Sequence, residues 1–255
     1  MANKVTFFGT GTSSGVPMLG CSCPVCQSQD RRDTRLRASI YVEYEGLKLV
    51  VDAGPDFRYQ MLRGHVQHID AILLTHNHKD HTGGLDDIRS FNYFESRAFP
   101  IYCEPYVLES LKKEYSYAFS EYRYPGAPEY DIHLIDENPF TINGVEIVPV
   151  RALHYKLPVL GYRFGRFAYL TDGSHIEPSE IEKLKGVDYF VINAIRVSSH
   201  ISHFSLPEAL EVAAQVGAKQ TFITHISHQL PCHEELCGML PEGVSPAFDG
   251  LTIDF

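Results

Sequence analysis

Short apolar runs, bounded by glycine, aspartate or proline, recur along the chain at Val5–Phe8, Ser39–Tyr44, Leu47–Asp52, Ala71–Thr75, Val145–Val150, Phe167–Thr171, Tyr189–Asn193 and Thr221–Thr224. Their β-branched and aromatic content predicts strands, and several end in Gly or Asp, where a strand hands over to a loop. Helical periodicity is rarer. Ser205–Gly217 carries apolar Leu206, Leu210, Ala213 and Ala214, with Ser205 and Glu208 at capping-box spacing and Gly217 at the stop, which predicts a helix. Asp56–Arg63, Pro105–Phe119 and Pro178–Leu184 read as further helices. Many strands with helices inserted at intervals predict an α/β chain built as two packed mixed sheets with helices outside, one of few layer arrangements open to it.

Composition sharpens this picture. With 255 residues, 44% of them hydrophobic, the chain has material for one sizeable core, so a single domain over residues 1–255 is expected. No internal repeat or low-complexity linker interrupts it. One stretch, about residues 91–130, departs from the rhythm by its density of tyrosine. It reads either as a helix and loop packing on the body or on a second subunit of a homodimer, or as a lid whose tyrosines and Arg123 touch a ligand. A single lysine before a very short apolar run at the start lacks a secretory pattern, and no later stretch approaches the roughly 20 apolar residues of a membrane span. A soluble, cytoplasmic protein without membrane contact is expected. The formal net charge of −10 argues against a broad nucleic-acid surface, whose affinity comes from lysine and arginine. A small anionic substrate at a local metal site is compatible with it.

The candidate chemistry concentrates in histidine, aspartate and cysteine. In Leu73-Leu-Thr-His-Asn-His-Lys-Asp-His-Thr-Gly-Gly84 an apolar strand runs into His76, His78, Asp80 and His81. Two residues apart in extended backbone, His76 and His78 point the same way toward one metal. Asp80 and His81 follow where Gly83 and Gly84 permit a turn, so they can face a second metal beside the first. Cys21, Cys23 and Cys26 crowd into Gly-Cys-Ser-Cys-Pro-Val-Cys. In a reducing compartment such a cluster favours zinc over a disulfide. His154, Asp172 and His225 each lie just past a strand's carboxyl end; singly they are ordinary polar loop residues, and their joint placement makes them candidates. Ser-Ser-His-Ile-Ser-His-Phe-Ser205 offers His200 and His203 as proton donors or as plain loop histidines, with His203 nearest a helix start whose amides can face a phosphate.

His-x-His-x-Asp-His after a strand resembles the signature of the metallo-β-lactamase fold superfamily, which implies an αββα sandwich with metals along one edge of the sheets. By that resemblance His76, His78 and His154 bind one metal, Asp80, His81 and His225 the other, and Asp172 bridges them. Oxygen-reducing di-iron members carry glutamate where this chain has His78, so redox chemistry is not implied. Metallo-β-lactamases proper usually lack the bridging aspartate, so Asp172 points to the phosphodiesterase side. Gly-Thr-Gly-Thr-Ser-Ser-Gly-Val-Pro, Cys-x-Cys-x2-Cys, Thr-His-Ile-Ser-His-Gln and Phe-Asp-Gly further resemble the PhnP-type cyclic phosphodiesterases, from about Phe7 to Asp254. That resemblance implies a structural zinc on Cys21, Cys23, Cys26 and a fourth ligand, His228, with His203 as general acid. An odd separation sends the imidazoles of His225 and His228 to opposite sides of an extended segment, and a closed Cys3His set is structural.

The expected function is therefore a dinuclear metal-dependent phosphodiesterase using Mn or Zn. It hydrolyses a small cyclic sugar or nucleotide phosphate by a metal-bridging hydroxide that Asp80 orients, with His203 supplying the leaving-group proton. Two alternatives share the ligand pattern: a tRNA 3′-processing endonuclease, for which no basic glycine-rich arm is evident, and a non-catalytic ligand-binding member. The stretch Gly9–Gly15 reads equally as a phosphate cradle and as a tight turn. Cys103, Cys232 and Cys237 read as free thiols, and His65, His68, His133, His175 and His233 as surface or satisfied histidines.

Overall fold

A computed structural model describes residues 3–255. One group of strands comprises β1 (Lys4–Gly9), β2 (Ser39–Tyr44), β3 (Leu47–Val51), β4 (Ala71–Leu73), β5 (Phe99–Cys103), β6 (Tyr130–Leu134) and β14 (Thr252–Asp254). They form a seven-stranded sheet in the order β14-β1-β2-β3-β4-β5-β6. The other comprises β7 (Phe140–Ile142), β8 (Val145–His154), β9 (Leu157–Phe164), β10 (Phe167–Leu170), β11 (Tyr189–Asn193), β12 (Gln220–Thr224) and β13 (Val244–Pro246). Its order is β13-β12-β11-β10-β9-β8-β7. Both sheets are mixed: β3 to β6 and β10 to β13 run parallel, and the remaining pairs are antiparallel.

Between the sheets lies an apolar layer in which Phe7, Val42, Leu49 and Val51 meet Leu160, Tyr162, Tyr169, Val191 and Phe222. Their strand neighbours point the other way, under helices. Val50 joins Phe57, Ile72 and Val107 on one outer face, and Leu170 joins Ile181, Ile192 and Leu206 on the other. The period of two thus serves two cores at once, which is why β4 and β10 read as unbroken apolar runs. Parallel pairing brings the carboxyl ends of β3 and β4 to one edge of the first sheet and those of β10 and β12 to one edge of the second, where β8, reversed twice through β9, ends too. The side chains that follow these strands converge between the two sheets at one edge of the sandwich. Every histidine and aspartate singled out in the strand-end motifs emerges at that edge.

The helix predicted at Ser205–Gly217 spans Leu206–Val216, with Ser205 as N-cap and Gly217 left-handed at φ 71°. The Ser205 amide donates to Glu208 Oε2 at 2.8 Å, closing the capping box. Ser205→Ala is expected to cost about 1 kcal/mol, read as a lowered Tm with metal content unchanged.

Several elements differ from the sequence reading. Asp80 and His81 sit in a short helix, Lys79–Thr82, not a turn, and the helix predicted at Pro105–Phe119 breaks at Tyr115 into Pro105–Glu114 and Ser116–Phe119. Helix Arg89–Glu95 buries no residue, so it has no apolar stripe to read. Strand β6, Tyr-Asp-Ile-His-Leu, is half-exposed and polar, and β9 contains Pro158 and Gly161. The tyrosine-rich stretch splits in two. Tyr115 is buried, and its hydroxyl donates to the Thr82 carbonyl at 2.7 Å, packing beneath the His76–Thr82 segment. Tyr122, Arg123 and Tyr124 stand exposed.

Candidate metal centres

Three residues at the strand-end edge adopt left-handed backbone: Asp52 (φ 64°), Asp172 (φ 59°) and His225 (φ 54°). Each follows the end of a strand, β3, β10 or β12, and Asp and His tolerate this region better than branched residues do. The twist carries their side chains inward. Gly54 and Gly84 let the neighbouring backbones close in: a Cβ on Gly54 would lie 2.0 Å from the Asp80 carbonyl oxygen, and one on Gly84 2.1 Å from the Gly54 oxygen. Only glycine fits such an approach.

The ligand atoms of His76, His78 and His154 lie within 4.8 Å of one another, as do those of Asp80, His81, Asp172 and His225. Asp172 also groups with His154 and His203 by the same measure. Its carboxylate therefore stands between the two sets. Oδ2 is 3.2 Å from His81 Nε2 and Oδ1 is 3.2 Å from His225 Nε2. Buried His76 Nε2, His81 Nε2 and both ring nitrogens of His225 have no hydrogen-bond partner among the described residues. Leaving a buried polar atom unpaired costs about 1–3 kcal/mol, so converging orphans of this kind fit divalent cations.

On two of the rings the nitrogen that faces away is held. His154 Nδ1 donates to the Ser202 carbonyl at 2.6 Å, and His81 Nδ1 lies 2.6 Å from Asp52 Oδ2. Fully buried Asp52 also accepts from the Thr75 amide and hydroxyl, each at 2.8 Å. Such a carboxylate fixes ring orientation and tautomer, leaving Nε2 free. Sequence reasoning missed Asp52, yet its signal was present: Val-Val-Asp-Ala-Gly ends a strand as Tyr-Leu-Thr-Asp-Gly does at Asp172. Asp52→Asn places one amide donor against a donor, so metal affinity is expected to fall about 10- to 100-fold, measured by competitive chelator titration. Unchanged affinity would show that Asp52 only supports the loop.

The electrostatics suit cation capture. Burial opposes ionisation of Asp172, but His225 and His81 outweigh it and hold the carboxyl well below its usual range. Asp80 is lowered in the same way by His81 and His225 against its burial. Burial, then His81, lowers His76; burial, then His154, lowers His78. Ionised carboxylates beside neutral imidazoles are the donor forms that metals require. His81 differs: despite burial, Asp172, Asp52 and Asp80 raise its pKa. It must release its Nε2 proton to serve as a ligand.

Away from this edge, Cys21, Cys23, Cys26 and His228 converge within 4.8 Å. His228 Nδ1 is 3.3 Å from Cys21 Sγ and 3.4 Å from Cys23 Sγ. These separations match the edge of a zinc tetrahedron with arms of about 2.3 Å to sulfur and 2.0 Å to nitrogen. Hydrogen bonds from the Cys26 amide and with His228 lower the Cys23 thiol to about 6. The loop carrying the cysteines is laced to the His225 segment: the Ile226 amide donates to Thr10 O at 2.8 Å, and the Thr12 amide to Ile226 O at 3.1 Å.

His203 Nδ1 is buried without a partner, 3.7 Å from Asp172 Oδ1, with its ring 4.5 Å from that of His154. The helix start beside it is not a free anion site. The amides of Phe204, Ser205 and Leu206 donate to Gly173 O, Glu208 Oε2 and Arg196 O. In the Gly9–Gly15 stretch the amides of Thr10, Gly11, Thr12 and Gly15 are bonded within the protein, that of Gly15 to Thr12 O at 2.8 Å. The stretch is a tight turn. His68, His133 and His175 pair with Glu95, Asp131 and Glu177, and buried His233 lies against Arg35.

Residues 48–226 match the family model for the beta-lactamase superfamily domain. A solved chain described as a new diphosphatase from the PhnP family is 39% identical, with a TM-score of 0.92, and the alignment covers 99% of this chain and 98% of that one. The chain belongs to the PhnP family of the metallo-β-lactamase superfamily. Membership in this hydrolase family, with donors of this kind, supports a metal-dependent hydrolase. Zn(2+)-bound PqqB from Methylobacterium extorquens, at 19% identity and a TM-score of 0.81 over 99% of this chain and 100% of that one, shares the fold. So does the short form of human tRNase Z, at 19% identity and a TM-score of 0.70 over 98% of each chain. An octanoyltransferase of Porphyromonas gingivalis is 39% identical over 251 residues, 97% of this chain but 51% of that protein. PqqB of Methylobacterium nodulans matches over 42% of this chain and 39% of its own length. The chain thus spans about half or less of the curated relatives it matches. No helix among the described residues is long and apolar enough to cross a membrane.

Proposed function

We propose that this chain is a dinuclear metal-dependent phosphodiesterase acting on a small cyclic sugar or nucleotide phosphate. The observation that carries the reading is Asp172, whose two carboxylate oxygens face His81 and His225 while the side chain also neighbours His154 and His203. His76, His78 and His154 would hold one cation and Asp80, His81 and His225 the other, with Asp172 shared. Bound there, two divalent ions supply Lewis acidity to the phosphoryl oxygens and bring a water molecule's pKa toward neutrality. The residues do the rest. Asp80 accepts a hydrogen bond from the attacking water and sets its direction, and Asp52 keeps His81 in one tautomer. His203 delivers a proton to the departing alkoxide. The cysteine set, closed on all four sides, stays outside the chemistry as a structural zinc site.

A second reading, diphosphate cleavage, is favoured by one finding: the solved relative at 39% identity is described as a diphosphatase. Both linkages present a phosphoryl centre to the same donors. A net charge of −10 weighs against precursor tRNA as substrate, since polyphosphate binding depends on basic side chains. The test supplies manganese or zinc to the purified protein and assays bis-p-nitrophenyl phosphate, cyclic ribose phosphate, 2′,3′-cyclic nucleotides, a dinucleoside diphosphate and precursor tRNA. Turnover of the cyclic esters with chelator-sensitive kinetics is expected. Cleavage of the diphosphate alone selects the second reading, and hydrolysis of none of the panel sinks both.

A further inference from the structure

The hairpin joining β8 to β9 turns through Tyr155 and Lys156, directly after His154, which pairs with Leu157. Tyr155 has φ 56°, a conformation that an aromatic residue rarely adopts and that glycine or asparagine fills without strain. The residue is 51% exposed and belongs to none of the buried apolar clusters. What the fold holds is its backbone: the Tyr155 amide donates to Ser174 Oγ at 2.9 Å, and the same hydroxyl donates to Leu153 O at 2.9 Å. Ser174 lies two residues past Asp172, so the tip is clamped to the loop that carries the shared carboxylate. Strain that surrounding bonds fix in place is typical of functional positions.

The setting of the ring suits a ligand. Lys156 Nζ stands 5.3 Å from the Tyr155 ring centroid, exposed and without a carboxylate partner among the described residues. The bond from His154 Nδ1 to Ser202 O brings the 197–202 loop alongside the turn. That loop exposes Ile201, at 71%, and Val197, at 45%. The tip and the loop thus adjoin His154 and form a rim beside it, with exposed aromatic and aliphatic side chains and one cation that has no carboxylate partner among the described residues. A bare sugar phosphate has no planar face to set against such a rim, whereas a nucleobase has one.

The geometry points to the Tyr155–Lys156 tip as the element that recognises the substrate's organic moiety: Tyr155 stacks on a nucleobase and Lys156 meets a neighbouring negative charge. This rests on the phosphoester-hydrolase reading and narrows it to nucleotide substrates. Tyr155 is a specificity residue here and takes no part in bond cleavage.

Two substrates that share the p-nitrophenolate leaving group separate base recognition from chemistry: thymidine 5′-(p-nitrophenyl phosphate) and methyl p-nitrophenyl phosphate. In the wild-type protein kcat/KM is expected to favour the base-bearing ester by about 10-fold or more, the scale of one base–aromatic stack. Tyr155→Gly should collapse that ratio through KM while Tm holds or rises, because glycine relieves the turn. Tyr155→Phe should keep the ratio. An unchanged ratio in Tyr155→Gly, or equal losses on both esters, overturns the assignment; equal losses mean that the turn positions His154. Calorimetry of the manganese-loaded protein with AMP and with ribose 5-phosphate decides the matter even without turnover. Tighter AMP binding by about 10-fold, lost in Tyr155→Gly and weakened in Lys156→Met, supports the stack, and equal affinities overturn it. Failure of the wild-type protein to cleave either ester counts against the hydrolase reading alone.

Discussion

His203→Ala is expected to lower kcat by about 10²- to 10⁴-fold, the range for losing a general acid, while the metal content of the protein stays unchanged. The geometry sets both halves of that outcome. His203 neighbours Asp172 and His154, but the two strand-end donor sets group without it. On the proposed phosphodiesterase reading, a proton donor beside the shared carboxylate would serve the departing oxygen. Its ionisation is the demanding part, because burial and then His225 push the imidazolium down to about 3. His203 is thus neutral in the free protein near pH 7. A substrate that brings a phosphate anion into the pocket favours the charged ring, so the proton is taken up with substrate. An acid works only while protonated, so the rate falls as pH rises through its pKa. The descending limb of kcat should lie at higher pH than that of kcat/KM, and the limb should vanish in His203→Ala. Loss of a metal ion from that variant would instead make His203 a ligand, and unchanged kcat would remove it from the mechanism.

The candidate site was legible in the sequence because its donors follow strand ends. Parallel pairing puts Asp172 and His225 at one edge of a single sheet, whereas His76 follows a strand of the other sheet; that all three share one site was implied by the resemblance to the metallo-β-lactamase fold. Asp52 was harder. It looks like the others in sequence, but its role depends on reaching His81, which is set by the left-handed turn at Asp52 and the close approach at Gly54. The helix start near His203 shows the opposite failure: the capping pattern was read correctly, yet the amides it seemed to offer a phosphate are bound to Gly173, Glu208 and Arg196. Local pattern identifies a cap; only tertiary packing decides whether its donors are free. Elements whose burial is partial or absent, such as β6 and helix Arg89–Glu95, left no periodic trace because nothing selects apolar residues at regular positions there. Tyr155 belongs with them, since an exposed aromatic in a turn looks unremarkable until its φ is known.

Cys23→Ser is expected to release about one zinc per chain and to lower Tm sharply, because structural zinc contributes roughly 10–16 kcal/mol in peptide systems. Even a fraction of that rivals the whole stability of a domain, about 5–15 kcal/mol. Cys23 is the corner best prepared for a metal, its thiol lowered to about 6 by the Cys26 amide and His228. Serine keeps the size but offers no soft thiolate, and three donors hold zinc less tightly than four. The consequence reaches the other site. Residues Cys21 to Cys26 are tied through His228 to the segment that begins at His225, whose φ of 54° is held by bonds between Ile226 and Thr10 and between Thr12 and Ile226. With the cysteine corner undone, that strained backbone loses one of its two anchors, and the set containing His225 should bind its cation less tightly than the His76, His78 and His154 set. Metal analysis during stepwise chelation reads this order directly: the variant should lose a second ion at lower chelator concentration than the wild-type protein does. Full zinc content in Cys23→Ser would disprove the structural-site assignment. Zinc loss with unaltered affinity at the remaining sites would confine the cysteine cluster to stability alone.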